Sequence, residues 1–83
     1  MGNPIIEVDL HKMSVEQAVK ASEAAVNKAD GGVYRIRLIH GFNGGTRIKN
    51  AVIDEFSYGR NSKVKRIEPG SNQGITELIL REF

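Results

Sequence analysis

VYRIRLIHGFNGGTRIKNAVIDEF, residues 33–56, changes its hydrophobic period midway. Over 33–40 the side chains alternate, with Tyr34, Ile36, Leu38 and His40 on one face and Val33, Arg35, Arg37 and Ile39 on the other, the two-residue period of a strand. Beyond it Ile48, Ala51, Val52, Glu55 and Phe56 fall at helical spacing, a buried stripe with one polar interruption. Between the two lies Gly41-Phe42-Asn43-Gly44-Gly45-Thr46, whose three glycines let backbone N–H groups converge without obstruction, and Thr46 stands where a helix N-cap belongs. The first strand face is apolar and suits a covering helix; the second is half basic and half apolar and suits a sheet open to water or to a partner.

Working upstream, residues 5–10 alternate as a strand, with Ile6, Val8 and Leu10 opposite Ile5, Glu7 and Asp9. Ser14 then opens a helix as N-cap, and Gln17 three residues on can close a capping box. Val15, Ala18, Val19, Ser22, Ala25, Val26 and Ala29 form a core stripe of mostly small residues, and Asp30-Gly31-Gly32 supplies the stop, with a glycine free to take the left-handed cap. Downstream, residues 64–68 read as a short strand ended by Pro69-Gly70, and residues 75–81 as an interior strand. The order βαβαββ implies an α/β (α+β) two-layer sandwich: two right-handed crossovers place both helices on one face of a mixed four-stranded sheet. The whole chain, 1–83, is expected to be a single domain with its core over about 5–81.

The chain has 83 residues, 40% hydrophobic and 27% charged, with no cysteine. That size excludes a second domain and leaves little room for a deep pocket, so the expected site lies on the surface. The absence of cysteine excludes disulfides and thiolate metal sites. No apolar run reaches the roughly 20 residues of a membrane span, and the N-terminus lacks a secretory leader, so a soluble, cytoplasmic, monomeric protein without a membrane partner is expected. The net charge is +2, but residues 33–67 carry Arg35, Arg37, Arg47, Lys49, Arg60, Lys63, Lys65 and Arg66 against Asp54 and Glu55, or 8 − 2 = +6. Such asymmetry favours a polyanionic partner.

Only two histidines occur, and each follows a strand directly: Asp9-Leu10-His11 and His40-Gly41. If the first two strands are parallel neighbours, Asp9, His11 and His40 converge on one sheet edge, together with the glycine loop and the N-terminus of the second helix. That edge offers backbone N–H groups, a helix dipole and Arg47 to an anion. Taken singly, Asp9 suits a capping carboxylate, His40 a satisfied imidazole, and the glycines an ordinary turn, matching neither the dinucleotide fingerprint nor the Walker A pattern. It is their occurrence together that points to a functional edge.

At these residues the sequence resembles the Smr (small MutS-related) domain family over residues 5–80. The resemblance rests on Val8-Asp9-Leu10-His11 followed by Ser14-Val15-Glu16-Gln17-Ala18, on Leu38-Ile39-His40-Gly41 with Gly44-Gly45-Thr46, and on Gly74-Ile75-Thr76 with Leu78-Ile79-Leu80. Lys12 stands where the family commonly has glycine, and Asn43 where it commonly has the second glycine of His-Gly-x-Gly. The resemblance implies a fold like the C-terminal domain of bacterial translation initiation factor 3 and nucleic-acid binding, with endonuclease activity on DNA or RNA in several relatives.

The chemistry expected of an endonuclease here is phosphodiester cleavage. Gly41, Gly44, Gly45 and Thr46 donors and Arg47 would hold phosphate, with Phe42, Asn43 and Lys12 beside them. Asp9 or His11 would be the general base and His40 the acid toward the leaving oxygen. RNA can supply its own 2′-hydroxyl as nucleophile; DNA needs activated water, for which a divalent cation, Mg²⁺ or Mn²⁺, seated on Asp9 and Glu7 is the candidate cofactor. The competing expectation is a module that binds DNA, RNA or a ribosomal surface without cutting. In it Arg35, Arg37, Lys63, Lys65 and Arg66 would neutralise phosphates while Tyr34, Phe42 and Tyr58 stack on bases. A third is a protein-interaction domain using Val33, Ile39 and the last strand on the open face.

Overall fold

A computed structural model describes residues 4–41, 47–57 and 61–81. Its elements run β1 (Ile5–Asp9), α1 (Val15–Lys28), β2 (Arg35–Ile39), α2 (Arg47–Phe56), β3 (Arg66–Pro69) and β4 (Ile75–Ile79). The sheet order is β1-β2-β4-β3, with β1 parallel to β2 and β4 antiparallel to both β2 and β3. It follows that β2 and β3 are parallel, and that β4, last in the chain, fills the interior place between them.

Alternation decides which face is covered. Leu10, Ile36, Leu38 and Leu78 are fully buried on the helix side, with Ala18 and Val26 of α1 and Val52 and Phe56 of α2 packed over them. Each large aliphatic side chain so buried contributes roughly 1.5–3 kcal/mol. The small residues of α1 do what small residues on a helix face allow: Ala18 and Ser22 have no exposed surface, and the Ser22 hydroxyl donates to the Ala18 carbonyl at 2.8 Å.

The helix ends separate expectation from outcome. At the start of α1 the capping box is complete, the Gln17 N–H donating to Ser14 Oγ and the Ser14 N–H to Gln17 Oε1, each at 3.1 Å. At its end no glycine takes the left-handed cap. Ala29 leaves in extended backbone (φ −64°, ψ 124°), its N–H shared between the Ala25 and Val26 carbonyls, while Asp30 turns the chain by accepting the Gly32 N–H at 2.8 Å. Two further carbonyls at this end are served from afar, since Lys63 Nζ donates to Ala29 O at 3.0 Å and to Asn27 O at 3.4 Å.

The last two strands also shift from their expected bounds. β3 starts later and includes Pro69, which an edge strand tolerates because one side of its ladder is unpaired. β4 stops at Ile79 because the N–H groups of Leu80 and Arg81 both turn to the Tyr34 carbonyl, at 2.8 and 3.3 Å. Among the described residues no helix is long and apolar enough to cross a membrane.

Candidate nucleic-acid interface

The parallel pairing of β1 with β2 brings Asp9 opposite Ile39, so the two histidine motifs leave the sheet side by side. Past the last bond to β2, from the Leu10 N–H to the Ile39 carbonyl at 2.7 Å, Asp9 Oδ1 accepts the His11 backbone N–H at 3.1 Å and also the ring N–H at His11 Nδ1. A carboxylate only accepts, so Nδ1 carries the proton and Nε2 is the basic nitrogen of the neutral ring. The two bonds from His11, with Lys12 close by, hold the Asp9 carboxyl below its ordinary range. Both side chains are about half exposed, 59% for Asp9 and 47% for His11. They form a solvent-facing carboxylate–imidazole dyad.

His40, by contrast, is only 5% exposed. Its Nε2 lies 2.7 Å from Thr76 Oγ1, itself 2% exposed, and its Nδ1 lies 3.3 Å from the Gly41 carbonyl. Burial, with the charge of Lys49 on α2 adding to it, pushes the ring below its ordinary pKa. The expected role of acid toward a leaving group would need a solvent-facing ring nitrogen, whereas here the ring is enclosed and both nitrogens are engaged.

Gly41 is the joint between the motifs. It has φ +79°, which favours glycine, and a Cβ built on it would lie 3.3 Å from His11 Cβ, close enough that His11 would have to shift by a few tenths of an ångström. Its N–H was expected to be a phosphate donor. It is instead committed to the Gly74 carbonyl at 3.0 Å, a carbonyl that also receives the His40 N–H at 2.9 Å. Phe42, Asn43, Gly44, Gly45 and Thr46 lie outside the described residues, as do Tyr58 and Arg60. Arg47 is exposed in the first turn of α2.

The cations expected to form one basic surface are divided in space. Arg35 donates to Glu77 at 2.9 Å, Arg37 reaches Glu7 at 3.2 Å and Glu77 at 3.4 Å, and Arg66 reaches Glu68 at 2.8 Å, so the open sheet face is a charge lattice. Glu77, only 6% exposed, is its centre. Lys63 is occupied with the end of α1, and with Lys65 and Arg81 it lines an open concavity at the end of the sheet away from the dyad. Lys12 acts on Asp9 of the dyad and Lys49 on His40, while Arg47 opens α2. Lys49 and Thr76 were not singled out from sequence, although Thr76 closes the Gly-x-Thr motif and Lys49 sits two residues beyond Arg47 on α2.

The donor set does not fit the divalent ion that Glu7 and Asp9 were expected to seat. Glu7 is ion-paired with Arg37, Asp9 accepts from His11, and among the described residues no three potential ligands converge.

The strand order, with Asp-Leu-His and His-Gly meeting on one edge, matches the Smr domain fold. Among solved structures the chain resembles the Smr domain of Thermus thermophilus MutS2, with a TM-score of 0.78 and 26% identity over 93% of this chain and 99% of that one. No family model and no curated protein matches the chain. The resemblance drawn from the three motifs is thus borne out by the fold that carries them.

Proposed function

We propose that this domain binds nucleic acid at the edge formed by the ends of β1 and β2, and that it is an endonuclease acting on RNA. The observation that carries the reading is the exposed Asp9–His11 dyad, in which the carboxylate accepts from Nδ1 and so fixes the tautomer that leaves Nε2 as the basic nitrogen of a half-exposed ring. Such an arrangement makes His11 the general base and Asp9 the group that orients it and stabilises the imidazolium that forms. In RNA the base removes the 2′-hydroxyl proton, the 2′-oxygen attacks phosphorus, and the bond to the 5′-oxygen breaks. A 2′,3′-cyclic phosphate is left, and the 5′-oxygen takes its proton from solvent. Lys12, Arg47 and Lys49 supply positive charge to the phosphate as it gains negative charge, and on the sequence pattern alone Gly44, Gly45 and Thr46 add backbone donors. No step passes through a metal.

The burial of His40 favours a second reading, a module that binds DNA, RNA or a ribosomal surface without cutting, because only one imidazole of the pair faces solvent. A cleavage assay separates the two. Structured RNA and supercoiled plasmid are incubated with the wild type, Asp9→Asn and His11→Ala, in Mg²⁺, in Mn²⁺ and in chelator, with binding recorded in parallel. Metal-independent RNA cleavage that both substitutions abolish while binding persists supports the nuclease. Binding without cleavage in every arm supports the module.

A further inference from the structure

The third motif, Gly74-Ile75-Thr76, has no part in the chemistry above, yet it makes a buried side-chain contact with His40, Thr76 being 2% and His40 5% exposed. Thr76 lies opposite Leu38 on the covered face of the sheet, two residues short of His40, and its hydroxyl meets His40 Nε2 at 2.7 Å. On the other side of the ring, Nδ1 faces the Gly41 carbonyl at 3.3 Å. A carbonyl can only accept. Of the two neutral tautomers, the one protonated at Nε2 would set the bare Nδ1 against the Gly41 oxygen. The one protonated at Nδ1 satisfies both contacts, provided that Thr76 donates.

We propose that Thr76 is a positioning residue: by donating to His40 Nε2 it holds the ring in the Nδ1–H tautomer, and the ring in turn pins the Gly41 peptide against His11. The chain of contact is continuous. Gly41 is held at its carbonyl by His40 and at its N–H by the Gly74 carbonyl, and a Cβ built on it would lie 3.3 Å from His11 Cβ, so the peptide sits beside the dyad. Gly74 is fixed by its own N–H to Asn72 Oδ1 at 2.8 Å. β4 thus reaches the dyad on β1 across the end of β2, although it does not pair with β1. The effect on the ring and on Gly41 stands independently of any activity; the effect on turnover rests on the nuclease reading.

The test compares wild type, Thr76→Val and Thr76→Ser. Thr76→Val keeps the shape and removes the donor; Thr76→Ser restores it. Nitrogen-15 correlation spectra of the His40 ring report the tautomer, amide exchange reports Gly41, and circular dichroism confirms that each variant is folded. The expected result is an Nδ1–H ring in the wild type and in Thr76→Ser. In Thr76→Val the Nε2–H form becomes populated and the Gly41 amide exchanges about tenfold faster, as loss of a local restraint allows. In the cleavage assay the same variant loses about tenfold in kcat with KM unchanged, the signature of a displaced dyad, and Thr76→Ser recovers it. A Thr76→Val protein whose ring tautomer and Gly41 exchange match the wild type overturns the proposal, and so does a shifted tautomer that leaves Gly41 exchange unchanged. If the wild type cleaves nothing, the nuclease reading fails while the ring and amide measurements still decide this one.

Discussion

Gly41 and His11 lie back to back: a Cβ on the glycine would come within 3.3 Å of the histidine Cβ, and the glycine backbone is at φ +79°. One position therefore both turns the chain out of β2 and sets the wall behind the dyad. Gly41→Ala is expected to lose about 1–2 kcal/mol from the left-handed backbone alone, read as a lower urea midpoint with unchanged slope. Gly41→Asn, which tolerates that backbone better, is expected to lose less at φ but to displace His11 equally.

Asp9→Asn preserves size and removes the charge that fixes the His11 tautomer. Cleavage of structured RNA is expected to fall by about 10²–10⁴-fold while affinity stays within about threefold, since base catalysis is lost and phosphate contacts are not. Single-turnover rates beside filter-binding titrations check both halves.

Lys63 is expected to behave as a helix cap. Lys63→Met should cost about 0.3–1 kcal/mol of stability through the exposed carbonyls at the end of α1. The salt dependence of nucleic-acid binding should keep its slope, whereas loss of a phosphate contact lowers the slope by about one ion. Lys12→Met at the dyad edge is the positive control for that measurement.

The buried imidazole predicts an asymmetric pH profile. The unfolded His40 ring takes up its proton near 6.5, and the folded ring does so only at lower pH, so between those values the unfolded state binds more protons. Stability is expected to decline as the pH falls through that window, by at most about 1.4 kcal/mol per pH unit, and to be independent of this group above it. Denaturant midpoints of wild type and His40→Gln across pH 5–8 (about the window in which histidine titrates) check it: the variant should lack this component.

Glu77 accepts from both Arg35 and Arg37 at the centre of the open face. Glu77→Ala leaves two guanidinium groups without their shared partner. The two arginines are 28% and 30% exposed, so the expected loss of about 2 kcal/mol is smaller than the roughly 3–5 kcal/mol of a fully buried pair. Thermal denaturation measures it.

What the sequence made legible, and what it did not, divides along physical lines. Periodicity located β1, α1, β2 and α2, because one covered face forces alternation in strands and a stripe in helices. Placement of the two histidine motifs on one edge followed from parallel pairing of β1 and β2 alone. Charge was harder to read. The count of +6 over residues 33–67 treated neighbours in sequence as neighbours in space, but β4 inserts Glu77 between β2 and β3, and β1 brings Glu7 to Arg37. Burial of His40 was foreshadowed by its place on the covered face of β2, but its side-chain partner was not, because Thr76 lies 36 residues away. The end of α1 misled for a similar reason: its cap is a lysine from beyond α2 rather than the adjacent glycine pair.

The interior position of β4 has a consequence for how the molecule comes into being on the ribosome. Until residues 75–79 have left the exit tunnel, β2 and β3 have no common neighbour, and only the β1-α1-β2 unit has its strand pairing available. Completion of the sheet, formation of the charge lattice and enclosure of His40 all await the last strand. A nascent chain lacking it is expected to be protease-sensitive, and to become resistant in one step when β4 emerges.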